Sequence, residues 1–305
     1  MSAATDPTPL DLLIVGAGFG GLCLLHKARA AGLNVQVIEA APSVGGTWYH
    51  NRYPGARVDV QSLEYSFGFD EALQQEWHWN ERYASQPELL RYANHVADRF
   101  DLRRSIALNT RLTQAHWDEG AHAWLAVAHT GQRWLAHHLV MATGPLSTPN
   151  TPRFEGLDRF EGRVLHTADW PHEAPDFTGQ RVGVIGTGSS GVQVIPKLAR
   201  QAAQLTVFQR TPAYVVPAHN GPLDAAFEAR IKADYPGFRA RSRAMSGGFG
   251  SELPPHPVSA LKASAEERAQ RFEARWQVGG FAFLGTFYDI LLNHDANALA
   301  AEFVR

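Results

Sequence analysis

Apolar residues crowd into a short run over positions 11–15 and stop at a glycine cluster, Gly16-Ala17-Gly18-Phe19-Gly20-Gly21. The run predicts a strand, the cluster a tight turn, and residues 22–31, closed by Gly32, a helix. A second apolar run over 35–38 ends at Glu39 and completes a β-α-β unit. The same order returns 170 positions later: a strand over 181–185, the turn Gly186-Thr187-Gly188-Ser189-Ser190-Gly191, a helix over 192–203 and a strand over 205–208. Between the two units, Pro87 opens a helical pattern over 87–100, and strand-like alternation over 106–141 ends at Gly144. Residues 41–62 are rich in Gly, Pro and aromatics without a clean period, which predicts an ordered functional loop. The Pro-rich stretch 145–152 predicts a domain boundary, because Pro restrains both itself and the residue before it. Beyond about residue 218 the spacing is helical, notably over 263–276, with a Gly/Pro-rich interruption over 246–257. The pattern therefore predicts an α/β chain with two Rossmann-like dinucleotide-binding domains, 1–144 and 145–217, followed by a mostly helical insertion over 218–305.

Composition narrows the function classes. A chain of 305 residues holds two or three domains, and 45% hydrophobic with 19% charged residues is ordinary globular usage. A net charge of −2 leaves no electrostatic footprint for nucleic acid or an anionic membrane. No apolar run reaches the ~18–20 residues of a membrane span, and residues 1–10 lack a basic and apolar leader pattern. The expectation is a cytoplasmic protein. The single cysteine, Cys23, rules out an intrachain disulfide or a C-x-x-C redox pair, disfavours a disulfide reductase, and reads as a small packed side chain. The histidines show no metal-ligand spacing, and Ser189 and Ser190 belong to a glycine turn rather than to a Ser-His-Asp set, so no metal site is expected. Nothing in the sequence marks an oligomeric state.

Both turns meet G-x-G-x-x-G, through Gly16, Gly18 and Gly21 and again through Gly186, Gly188 and Gly191. The first glycine allows the turn, the second lets a pyrophosphate approach the backbone, and the third lets helix pack on strand, so that amides at the helix N-terminus face phosphate. Glu39 stands 18 residues after Gly21, where a carboxylate accepts hydrogen bonds from a ribose diol; a solvated strand-end acid is the alternative. The corresponding strand end of the second unit carries Gln209-Arg210-Thr211. A carboxylate repels a 2′-phosphate, whereas Arg210 can pair with it and Thr211 can add a donor, so the first loop suits FAD and the second NADPH. Arg210 as an ordinary exposed base is the alternative. Two such sites in one chain imply hydride passing from nicotinamide to flavin.

Residues Phe160, Gly162, His166, Trp170 and Pro171 complete F-x-G-x-x-x-H-x-x-x-W-P, and Gly45-Gly46-Thr47-Trp48 through Tyr53-Pro54-Gly55 to Asp59 completes G-G-x-W-x-x-x-x-Y-P-G-x-x-x-D. On these motifs the chain resembles the type I Baeyer–Villiger monooxygenases, closest to the phenylacetone and cyclohexanone monooxygenase group. The resemblance implies that NADPH reduces FAD, that O2 adds at flavin C4a, and that the peroxyflavin attacks a small-molecule ketone to give an ester or lactone. It also implies flavin contacts from Gly46, Thr47, Trp48, Tyr53 and Tyr65, with Trp48, Tyr49 and Tyr53 forming a dry wall. By the same match Arg57 lies along the nicotinamide cofactor, Thr187, Ser189 and Ser190 belong to its phosphate loop, and Asp59 is the active-site acid that holds a catalytic arginine. Read alone, Trp48 and Tyr53 could be core aromatics and Asp59 a turn or helix cap. His166 reads as an organiser of the linker rather than an acid or base.

The family's catalytic arginine, a lysine for the 2′-phosphate and the strands that complete both dinucleotide domains are expected beyond residue 305, so the sequence reads as the N-terminal portion of a longer enzyme. Two other readings stay open: an N- or S-oxygenating flavin monooxygenase, and a non-catalytic fragment.

Overall fold

A computed structural model describes residues 6–146, 148–245, 247–250 and 254–305. Ser147 in the Pro-rich stretch, and 246 and 251–253 in the Gly/Pro-rich stretch, lie outside the described residues. Contacts divide the chain into two compact units, one built from 1–53 and 86–175 and the other from 54–85 and 176–305.

The first unit carries a six-stranded sheet. In chain order its elements are β1 (Thr8–Val15), α1 (Phe19–Ala30), β2 (Val35–Ile38), α2 (Thr47–His50), then, across the inserted segment that holds α3 (Glu71–Glu76), α4 (Gln86–Arg99), β3 (Ile106–Ala107), β4 (Leu112–Asp118), β5 (Ala123–Ala128) and β6 (Arg133–Met141). The strand order is β3-β2-β1-β6-β5-β4, with β3, β2, β1 and β6 parallel and β5 and β4 added antiparallel. From β1 the chain passes to β2 on one side, while β6 returns on the other. That reversal opens a crevice at the carboxyl ends of β1 and β6, where open α/β sheets bind ligands. Helix α1 buries Gly21, Leu22, Leu25 and Ala28, a single helical stripe, against the sheet. Beneath the strands Leu10, Leu13, Ile38, Ala126, Ala136 and the fully buried Trp134 form the core, and Trp134 Nε1 donates to Gln36 at 2.9 Å.

The second unit repeats the first motif in smaller form. Strands β7 (Arg181–Ile185) and β8 (Gln204–Phe208) pair in parallel around α5 (Ser189–Leu198). Helix α5 starts directly at the glycine turn and ends at Leu198, before the expected residue 203, with Pro196 inside its last turn. Helices α6 (Ala225–Ala233), α7 (Tyr235–Ala244), α8 (Ala265–Val278) and α9 (His294–Val304) follow. Asp224, Ser264 and Asn293 cap α6, α8 and α9 by accepting backbone N–H bonds, which satisfies donors the helices leave open. Phe272, Phe283, Phe287 and Ile290 make the core of these helices, with Phe272 stacked on Phe283 at 5.5 Å.

The predicted α/β class and the two strand–turn–helix units are present. Residues 41–62 are not all loop, since α2 turns once after Gly46. By contacts the chain changes unit at 53/54, 85/86 and 175/176. Segment 54–85 folds with the second unit, through contacts that no local pattern encodes. Among the described residues no helix is long and apolar enough to cross a membrane.

Candidate functional site

The first glycine turn sits at the crevice between β1 and β6. Gly16 has φ +109°, and a Cβ there would stand 2.6 Å from the Ala142 carbonyl at the end of β6. A Cβ on Gly21 would collide with the Gly16 carbonyl, so this glycine serves helix-on-strand packing. Gly18 differs from both. Its φ is −74°, and a Cβ would make only an ordinary 3.5 Å contact with Gly46 Cα. Gly46, at φ +54°, has its backbone drawn close to Gly18, so two glycines form one bare stretch of main chain beside the N-terminus of α1. Glu39 is 7% exposed, and its two oxygens accept the Ala17 and Ala41 amides at 2.7 and 2.8 Å. A carboxylate has about four acceptor sites, so lone pairs remain for two hydroxyls.

Around this turn Trp48 and Tyr53 are buried, Thr47 begins α2, and Gln86 donates to the Trp48 carbonyl. Arg52 lies over the Tyr49 ring at 4.7 Å and donates to His172 Nδ1 at 2.7 Å, while Tyr49 Oη meets His172 Nε2 at 3.3 Å. His172 directly follows the Phe160-to-Pro171 signature, whose Trp170 is buried and whose Phe160 is exposed, with Gly162 close under the Phe160 ring. His166 Nδ1 accepts the Ala168 amide at 3.1 Å and so caps a short turn over 167–169. Cys23 is half-buried, and burial raises its thiol pKa.

The second turn matches the first position by position. Gly186 has φ +98°, a Cβ on Gly191 would stand 2.5 Å from the Gly186 carbonyl, and Gly188, at φ −71°, has nothing within 4 Å of a Cβ. Gln209 occupies the place of Glu39, 23 positions after the first glycine in each unit. Where Glu39 accepts from Ala17, Gln209 donates to Thr187 Oγ1 at 2.8 Å. Arg210 and Thr211 are exposed, and Ser189 and Ser190 start α5.

The segment carrying the rest of the tyrosine–proline–glycine signature packs on α5. Gly55 has φ +91°, and a Cβ would stand 2.5 Å from the Gln193 carbonyl. Gln193 Nε2 donates to the Arg57 carbonyl at 3.2 Å and reaches Asp59 Oδ1 at 3.4 Å. Arg57 pairs with Glu81 at 2.7 Å. Burial raises the Asp59 carboxyl above its usual pKa. Asp59 and Glu64 line one side of a cavity of about 300 Å³ that Phe238, Phe249, Phe281 and Leu284 close with apolar surface. Tyr65 lies in the turn that follows, its amide bonded to Gln61 and Ser62 carbonyls.

Residues 13–232, more than two thirds of the sequence, match the pyridine nucleotide-disulphide oxidoreductase family. The chain belongs to that family. Cys23 is the one cysteine of the given sequence, so the match to this family comes without a disulfide pair. It is 46% identical over 298 residues to a Baeyer–Villiger monooxygenase from Pseudooceanicola batsensis, covering 97% of this chain and 54% of the relative. It is 41% identical over 305 residues to a phenazine N-monooxygenase from Lysobacter antibioticus, covering 98% and 56%. A solved structure of an oxidized steroid monooxygenase bound to NADP superposes with a TM-score of 0.91 at 53% identity, covering 97% of this chain and 56% of that one. These relatives bear out the resemblance carried by the two signatures. The chain spans about half the length of the relatives it matches.

Several residues enter the site only through the fold. Gln193, Glu81, Asn220 and His172 carry no motif signal, since each acts through a contact with a residue distant in sequence. Gln209, by contrast, is visible from the repeat itself, because its offset equals that of Glu39.

Proposed function

We propose that the chain supplies the two dinucleotide sites of a Baeyer–Villiger monooxygenase, with FAD on the loop at 16–21 and NADPH on the loop at 186–191. The carrying observation is the middle glycine of each turn. Gly16 and Gly186 are required by positive φ and Gly21 and Gly191 by close packing, whereas Gly18 and Gly188 have neither reason. Main chain kept bare without a demand from the protein itself fits a pyrophosphate lying against it.

In this reading Glu39 holds the flavin nucleotide's ribose, and Gly46, Thr47, Trp48, Tyr53 and Tyr65 shape the flavin's surroundings. Arg210 and Thr211 bind the 2′-phosphate beside Thr187, Ser189 and Ser190, and Arg57 lies along the nicotinamide half. When bound, the flavin supplies the activation of O2 with electrons taken from NADPH. The overall balance is ketone, O2, NADPH and H⁺ giving ester or lactone, NADP⁺ and H2O. The protein's part is to exclude water with the buried Trp48 and Tyr53 and to fix charge. Desolvation weakens Asp59 as an acid, so its ionised form calls for a neighbouring cation, the role an arginine facing the developing oxyanion would fill.

The test is product analysis by gas chromatography on the whole protein given FAD, NADPH and a cyclic ketone. An ester or lactone formed in proportion to NADPH consumed is expected; NADPH oxidation yielding hydrogen peroxide alone would exclude ketone oxygenation. A second reading, N-oxygenation, is favoured by the phenazine N-monooxygenase relative. An aromatic N-heterocycle in place of the ketone separates the two.

A further inference from the structure

Arg57 is held by a chain of contacts that neither signature contains. Its Nη1 donates to Glu81 Oε2 at 2.7 Å and to the Tyr83 carbonyl at 3.3 Å. The same Glu81 oxygen accepts from Asn220 Nδ2, and Asn220 Oδ1 accepts the Tyr83 amide at 2.9 Å. Ser62 Oγ donates to the Glu81 carbonyl at 2.7 Å, and Glu81 forms a backbone bridge with Pro222. Glu81 is thus fixed through its main chain and its carboxylate from two directions. With 24% and 35% of the Arg57 and Glu81 side chains exposed, the pair is shielded enough to orient a guanidinium, unlike a fully exposed ion pair.

The location gives that orientation a purpose. Gln193 Nε2 holds the Arg57 carbonyl, and Gln193 lies about one helical turn along α5 from its start at the second glycine loop, or ~6 Å at 1.5 Å per residue. Arg57 is therefore tied to the first turns of the helix that begins at that loop. Glu81 and Tyr83 use Nη1, which leaves Nε–H and both Nη2 hydrogens for an anionic or carbonyl acceptor.

We infer that Glu81 and Asn220 are positioning residues that aim Arg57 at the nicotinamide dinucleotide, an inference that rests on the placement of NADPH on the second loop. Neither touches the cofactor. Glu81 fixes the guanidinium plane, and Asn220 fixes the Glu81 carboxylate. The negative charge of Glu81 by itself would weaken the attraction for an anionic ligand, so removing Glu81 tests orientation against charge with opposite signs.

The experiment titrates NADP⁺ into the FAD-loaded full-length protein by calorimetry, a readout independent of turnover, with melting temperatures recorded for each variant. Glu81→Ala and Asn220→Ala should weaken NADP⁺ binding about three- to tenfold, within the range of couplings between contacting residues. Glu81→Gln, which keeps an acceptor for Arg57, should stay near wild type. In an Arg57→Ala background, Glu81→Ala should add almost nothing. Equal losses in both backgrounds, unchanged affinity in the single variants, or tighter binding in Glu81→Ala would each overturn the inference. Should Glu81→Ala fail to fold, Asn220→Ala and Glu81→Gln still decide. Wild-type protein that binds no NADP⁺ would mark failure of the cofactor placement, whereas wild-type binding that is indifferent to Arg57→Ala would mark failure of Arg57 alone.

Discussion

The Glu39 carboxylate accepts the Ala17 amide at 2.7 Å from a position 7% exposed to solvent, so the strand-end acid and the glycine turn are one unit. Replacing Glu39 with Ala leaves the Ala17 and Ala41 amides without their acceptor. The loss should be about 1.5–3 kcal/mol, the range for hydrogen bonds to a charged group. Urea denaturation checks this value, and the flavin absorbance per protein after purification should fall in parallel. A variant that keeps full FAD content would remove Glu39 from the ribose.

Gly191 and Gly188 of the second turn should respond differently to the same methyl group. Gly191→Ala places Cβ 2.5 Å from the Gly186 carbonyl and should lower the melting temperature. At Gly188 a Cβ meets nothing within 4 Å, so Gly188→Ala should melt like wild type while losing NADP⁺ binding. A Gly188→Ala protein that binds NADP⁺ normally would show that the bare backbone serves no ligand.

Arg210 is exposed at the end of β8, beside the Gln209–Thr187 contact. Arg210→Ala should raise the KM for NADPH about 10- to 150-fold while changing that for NADH little, from the ~1.5–3 kcal/mol of a lost charged hydrogen bond. Steady-state kinetics with both nucleotides settle it. Equal loss for both would make Arg210 structural.

Burial raises the Asp59 pKa, so in the acid range the folded protein binds this proton more tightly than the unfolded chain does. Stability contributed by Asp59 therefore falls as pH rises from the unfolded value, ~3.9, through the raised folded value. Asp59→Asn should remove that fall, so the variant gains stability relative to wild type as pH rises through this range and is no less stable at neutral pH. Thermal melts across the acid range decide it. A variant that loses stability relative to wild type as pH rises would mean that a cation already compensates the carboxylate. In the whole protein, Asp59→Ala should retain FAD while diverting NADPH consumption from ester to hydrogen peroxide.

The information legible along the chain is local. Each strand–glycine–helix unit is written within about 25 residues, because apolar periodicity, the G-x-G-x-x-G spacing and the strand-end residue all act on near neighbours. The contrast between Glu39 and Gln209-Arg210-Thr211 is likewise visible in the letters. The remaining contacts come from packing. Segment 54–85 lies, in sequence, within the first unit but folds with the second, bringing Arg57 and Asp59 to Gln193, more than 130 positions away. The Arg57–Glu81–Asn220 chain and the Arg52–His172 contact join loops, where no period exists to announce a partner. Such contacts form only after the strands and helices have paid the entropy of bringing distant loops together, so their partners are chosen by the packed fold and not by spacing along the chain.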